Sequence, residues 1–114
     1  MLANTCDQGV TMEPKAVSIL KLTGDPDQLL AWKKETIDPI MRSKASTYGA
    51  ISQTVVKTAD GLMMINFWST EEGRLAMGND VLADPDFIRA TQARGERQVP
   101  EAYEVVQHLT PESG

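Results

Sequence analysis

An α+β fold, with helices on one face of an antiparallel four-stranded sheet, is predicted by three observations. Apolar, β-branched segments alternate with amphipathic ones in the order strand, helix, strand, strand, helix, strand. The two middle strands flank Ala59-Asp60-Gly61, which has the composition of a tight hairpin turn. Both helical segments open on a capping residue that follows a strand. This order is the split βαβ, or ferredoxin-like, arrangement, in which the helices cross over on a single face.

The elements follow in chain order. Residues 15–22, KAVSILKL, form the first strand and stop at Thr23-Gly24. Asp25 caps the first helix, Pro26 suits its first position, and Gln28 completes a capping box. Leu30, Lys33, Ile37, Ile40 and Lys44 then recur at helical spacing, widened by Leu29, Trp32 and Met41. Two lysines interrupt the apolar stripe. Pro39 has no amide hydrogen, so the helix is expected to kink or restart at Asp38-Pro39.

Residues 48–58 read as the second strand and 62–68 as the third. Ser69 is the expected cap of the second helix, with Glu72 reaching back and acidic residues suiting the helix dipole. That helix carries Leu75, Ala76, Met77, Val81 and Leu82. It breaks at Ala83 and restarts behind Asp84 and Pro85 with Phe87 and Ile88. Residues 94–100 are a polar connector and 101–109 the last strand. Residues 1–14 read as an N-terminal tail, 15–110 as one domain and 111–114 as a C-terminal tail.

The 114 residues suit one small domain, 41% hydrophobic and 24% charged. A net charge of −5 without a basic cluster argues against nucleic acid and anionic membranes as partners. No stretch approaches the roughly 18 apolar residues of a membrane span, and the N-terminus lacks the pattern of a secretion signal. The single cysteine, Cys6, excludes an intramolecular disulfide and favours a cytoplasmic setting. One histidine and one cysteine do not make a zinc site. Asp25/Asp27 and Asp84/Asp86 read as helix starts rather than metal ligands, so no metal is expected. No phosphate loop or dinucleotide fingerprint appears.

Strand three predicts a partner. One face carries Leu62, Met64, Asn66 and Trp68, and the other Met63, Ile65 and Phe67. The helices cover only one face, and a solvated face would be polar. A second copy of the same sheet is the expected cover, with each buried apolar side chain contributing about 1.5–3 kcal/mol. The alternative is a monomer with an exposed apolar patch.

The run MINFWSTEEGRLAM (64–77) and the run TIDPIMRSKASTYGAISQ (36–53) resemble antibiotic biosynthesis monooxygenase-like domains of the dimeric α+β barrel superfamily. The likeness spans roughly residues 15–109. It implies a homodimer with a hydrophobic small-molecule pocket between helices and sheet. Members include cofactor-independent oxygenases, haem-degrading enzymes, polyketide cyclases and proteins with no known reaction. The haem-degrading members use an asparagine on the first strand and a histidine on a helix. Ser18 occupies this first strand and His108 falls on the last, so no cofactor is expected.

Under this resemblance the strand face bearing Asn66 and Trp68, with Met64, lines the pocket. A buried amide needs a partner, supplied by a ligand, by water or by a neighbouring side chain. Trp68 either stacks on an aromatic ligand or closes the core. His108, the only histidine, has an unperturbed pKa of about 6.5 that suits proton abstraction, though a strand-end histidine is also an ordinary solvated residue. Tyr48 and Tyr103 are candidate donors to an oxyanion or ordinary strand residues, and Ser18, Ser52, Gln53 and Thr54 add polarity to strands one and two, as cavity lining or as solvent-facing positions. The expected function is a cofactor-independent monooxygenase or cyclase for an aromatic, polyketide-like substrate. The alternative is a non-catalytic binding or structural dimer. Shared folds host different functions, so the site has to be argued on its own residues.

Overall fold

The computed structural model describes residues 13–94 and 100–111. Cys6, most of the expected N-terminal tail, the middle of the 94–100 connector and residues 112–114 lie outside the described residues. The elements are β1 (Ala16–Thr23), α1 (Pro26–Trp32), a π-helical turn (Lys33–Ile37), α2 (Asp38–Ala45), β2 (Ala50–Thr58), β3 (Gly61–Trp68), α3 (Glu71–Leu82), α4 (Pro85–Arg94) and β4 (Glu101–Glu104). The sheet order is β2-β3-β1-β4, with every neighbouring pair antiparallel. This is the ferredoxin-like arrangement expected from the element order.

Local chemistry places the joints. Ala59 and Asp60 alone connect β2 to β3. The Gly61 position is crowded: a Cβ there would lie 1.8 Å from the Leu22 carbonyl oxygen, so only glycine lets β3 close on β1. Asp25 caps α1 by accepting from the Gln28 amide at 3.0 Å. Asp84 starts α4 by accepting from the amides of Asp86 and Phe87. The cap of α3 differs by one residue from expectation: Thr70, not Ser69, accepts from the Gly73 amide.

The helix does restart at Asp38-Pro39, and the helical run stays unbroken through residues 26–45. A single π turn joins α1 to α2, with the Asp38 amide bonded to the Lys33 carbonyl five residues back. Pro39 cannot supply an amide to the ladder, and a widened turn absorbs the mismatch.

The last strand is shorter than the expected 101–109, spanning only Glu101–Glu104. The reason lies in its partner. Ala16, the first residue of β1, pairs with Glu104, and beyond it the contact closes with one bond from the Val105 amide to the Lys15 carbonyl. His108 therefore stands beyond the strand.

The register sorts the inner face into rows. Ala16, Trp68 and Ala50 form one row, and Leu20, Met64 and Val55 another, with Ser18, Asn66 and Gln53 between them. Apolar packing splits accordingly. One core is Ala16, Trp68, Met77 and Val81, and the other is Leu22, Leu29, Leu62 and Met64. The polar row divides them, and Lys33 lies against it from the helix above. The outer face carries Val17, Ile19, Val56, Met63, Ile65 and Phe67, all half-buried in the single chain.

Candidate functional site

A cavity of about 330 Å3 opens between α2 and the inner face of the sheet. Asn66, Gln53, Trp68, Met41 and Met77 line it, with Asp38 and Arg42 from α2. The sulfur and indole groups give it polarizable walls suited to flat ligands. A bulge in β2, between Ala50 and Ser52, brings the start of that strand to the cavity.

The polar groups form one connected chain. The Lys33 ammonium, only 3% exposed, donates to Asp38 Oδ1 at 2.5 Å and to Gln53 Oε1 at 2.6 Å. Gln53 Nε2 donates in turn to Asn66 Oδ1 at 2.7 Å. Among the described residues nothing accepts from Asn66 Nδ2, and Arg42 has no acidic partner. The π turn makes the first link. Five residues along an α-helix advance roughly 140° past a full turn, which would point Lys33 and Asp38 apart. The wider turn sets positions five apart over one another, so the ammonium meets the carboxylate.

Trp68 is held from below. Its Nε1 donates to the buried Ser18 Oγ at 3.1 Å, which satisfies both groups inside the core.

A second polar cluster lies at the far end of α2. Tyr48 Oη donates to Asp80 Oδ2 at 2.6 Å, and Lys44 pairs with Asp80 at 2.9 Å and Asp84 at 3.4 Å. The hydrogen bond from Tyr48, then that from Lys44, holds the Asp80 carboxyl below its ordinary range. Loss of solvent pushes Asp84 upward, but the Phe87 and Asp86 amides and Lys44 outweigh it and leave it lowered. The Tyr48 phenol is held above its ordinary value, first by donating to Asp80 and then by desolvation. Hydrogen bonding to Asp80 likewise raises Lys44. This cluster ties α2 to α3 and α4.

The candidate residues of the sequence divide into three sets. Asn66 and Trp68 line the cavity. Met64, Ser18 and Tyr48 sit behind it: Met64 in the second core, Ser18 under Trp68, and Tyr48 bound to Asp80. His108 and Tyr103 lie with the opposite face of the sheet. The His108 ring makes an edge contact with Phe67 at 5.9 Å between centroids, and Tyr103 pairs with Val17 and is 53% exposed. Gln53, one of the polar strand residues, lines the cavity, whereas Lys33 and Asp38 are not among the sequence candidates. The one signal for them was the lysine inside an apolar helical stripe, followed five residues later by an aspartate before proline.

No protein-family model matches the chain, and no curated protein matches it. Solved structures do match. A dimeric ferredoxin-like protein from an uncultured marine organism superposes with a TM-score of 0.68 at 14% identity, over 90% of this chain and 96% of its own. A monooxygenase from the gene ActVA-Orf6 of Streptomyces coelicolor, solved in complex with nanaomycin D, gives 0.61 at 16% identity, over 86% and 93%. SnoaB, a cofactor-independent oxygenase from Streptomyces nogalater, gives 0.50 at 16%, over 87% and 98%. The chain has the fold of these proteins. At these identities the likeness concerns architecture rather than activity.

No helix among the described residues is long and apolar enough to cross a membrane.

Proposed function

We propose that the protein is a homodimer that binds a flat, acceptor-bearing aromatic molecule in the cavity beside Asn66, as a cofactor-independent monooxygenase would. The observation that carries this reading is the open space itself. It is about 330 Å3 in volume, walled by Trp68, Met41 and Met77, with the Asn66 amide nitrogen and Arg42 as donors. Sites of this size that set placed polar groups beside apolar walls are the usual small-molecule sites, and here Asp38, Arg42, Ser52, Gln53 and Asn66 are the polar side. Two proteins of the same fold are described as oxygenases, one of them with a bound ligand, and that kinship supports the substrate class.

In this reading a carbonyl or phenolate oxygen accepts from Asn66, and the rings lie against Trp68. Loss of a proton from the bound phenol or activated methylene to solvent at the cavity mouth spreads charge onto that oxygen, where the amide donor and the nearby cations stabilise it. The carbanion then reduces dioxygen. One oxygen atom enters the ring as a carbonyl and the other leaves as water. His108 has no part in this scheme, because its ring packs on Phe67 across the sheet.

Dimerisation rests on the outer face. Val17, Ile19, Val56, Met63, Ile65 and Phe67 remain half-buried, and a second sheet covers them at a gain of about 1.5–3 kcal/mol per side chain. A neighbour of this fold is described as dimeric.

The test is titration of aromatic ketones and hydroquinones into the protein, followed by calorimetry and oxygen uptake. Binding with oxygen consumption is expected, weakened at least tenfold by Asn66→Leu. Binding with no turnover would favour the second reading, a non-catalytic binding dimer, for which the location of the only histidine speaks. Lack of any binding would refute the cavity assignment.

A further inference from the structure

We propose that Lys33 is a positioning residue that sets the hydrogen-bond polarity of the cavity, so that the site takes ligands through an acceptor and refuses those that offer only a donor. The inference rests on the cavity reading above and adds what selects within it.

The argument is one of forced polarity. An amide side chain has a donor end and an acceptor end of nearly the same size, so its partner decides which way it turns. An ammonium has three donors and no acceptor. Lys33 is buried and anchored by Asp38, so its donor-only end is fixed at one end of the chain. Gln53 must therefore turn Oε1 toward it, at 2.6 Å. That leaves Gln53 Nε2 directed at Asn66, which must answer with Oδ1, at 2.7 Å. What Asn66 has left is Nδ2, a donor, on the wall of the cavity. A charge on the helix thus dictates which half of an amide the ligand meets, two side chains away.

The relay crosses three elements that the sequence keeps apart. Lys33 comes from the π turn, Gln53 from β2 and Asn66 from β3. Gln53 and Asn66 are opposite one another in the register, so their side chains share a face. The π turn brings Lys33 and Asp38 together, so the widened helix acquires a purpose beyond accommodating Pro39.

Two matched probes read the polarity. Fluorenone presents a carbonyl acceptor, and carbazole, of nearly the same shape, presents an N–H donor and no such acceptor. The wild-type protein should prefer fluorenone by roughly three- to tenfold in dissociation constant, the worth of one neutral hydrogen bond. Gln53→Glu keeps an acceptor for Lys33 but offers Asn66 only oxygen. Asn66 must then donate to it and turn Oδ1 into the cavity, so the preference should invert toward carbazole. Adding Asn66→Leu to that variant should abolish the inversion, which separates the turned amide from the added charge. Lys33→Met should bring the ratio near one, and Lys33→Arg, still donor-only, should restore it.

A purely structural role for these residues would lower stability or weaken both probes together, and would leave the ratio alone. The side-chain amide proton signals of Gln53 and Asn66 give a readout that needs no ligand: both pairs should move in Lys33→Met. An unchanged probe ratio in Gln53→Glu and Lys33→Met, with fluorenone still bound, overturns the relay alone. Failure of the wild-type protein to bind either probe overturns the cavity reading and the selectivity together. If the amide signals stay in place in a folded Lys33→Met, the relay is overturned whatever the probes do.

Discussion

Lys33 and Asp80 show how far charge placement decides the behaviour of single side chains in a small domain. Lys33 is 3% exposed and survives there because Asp38 and Gln53 replace its lost water. Asp80 is the hub of the other cluster, accepting from both Tyr48 and Lys44. Its carboxyl is lowered relative to an unfolded chain, so the unfolded state binds more protons in the acid range. The stability it contributes is present above the ordinary aspartate pKa and is lost as pH falls through the folded value. Tyr48 and Lys44 have the opposite sign: raised when folded, they contribute below their ordinary values and lose that contribution as pH rises through the folded ones. Urea midpoints measured from about pH 6 down to about pH 3 should fall less steeply in Asp80→Asn than in the wild type. Equal slopes would remove Asp80 from the acid limb. Solvent reaches this cluster, so the effect belongs among modest surface contributions.

Among the elements, the junction of β3 and α3 concentrates the local constraints. The Trp68 carbonyl accepts from Lys15, the Ser69 amide donates to Gly49, and Thr70 caps the helix. Gly73 lies one turn in, where an added Cβ would come within 2.1 Å of the Tyr48 carbonyl oxygen, so this helix packs on the chain before β2 through a bare backbone. Loss of the cap by Thr70→Ala should cost about 1 kcal/mol. Ser69→Ala should cost less, since Ser69 makes no cap hydrogen bond. Chemical denaturation of the pair would reveal the reverse order if Ser69 were the cap. The sequence left the two residues close to interchangeable, because both are hydroxyl residues ahead of Glu71-Glu72. The extended backbone at Thr70, with φ −145° and ψ 155°, is what separates them. The shortened β4 has a similar origin. Residues 105–109 have strand composition, yet a strand needs a partner, and β1 begins only at Ala16, opposite Glu104.

For the whole molecule, the sheet is the dividing plane. Its inner face holds two apolar cores with a polar row between them, and its outer face holds an apolar field that no helix among the described residues covers. Ile65 lies in the middle strands of that field, paired with Ile19 and Thr54. A charge placed there should cost little in an isolated chain and a great deal in a face-to-face dimer, by leaving an unpaired ion between two sheets. Sedimentation of Ile65→Lys should therefore show a monomer at concentrations where the wild type is a dimer, with a melting temperature that no longer rises with protein concentration. A wild-type chain that sediments as a monomer would remove the proposed interface.

Element order, strand faces, the hairpin and the helix restart were legible in the chain itself, because each depends on neighbours a few residues apart: periodicity, a cap, a turn, a proline without an amide. Asn66 and Trp68 could be assigned to one face for the same reason, by strict alternation along β3. What only the folded molecule decided is which distant groups meet. Lys33 looked like a flaw in an apolar stripe until the π turn set it over Asp38 and the register set Gln53 beneath it. His108 looked available to a pocket until the end of its partner strand released it to the other side of the sheet. Local chemistry writes the elements, but the pairing of charges and amides between elements depends on a register and a helix pitch that exist only once the chain has packed.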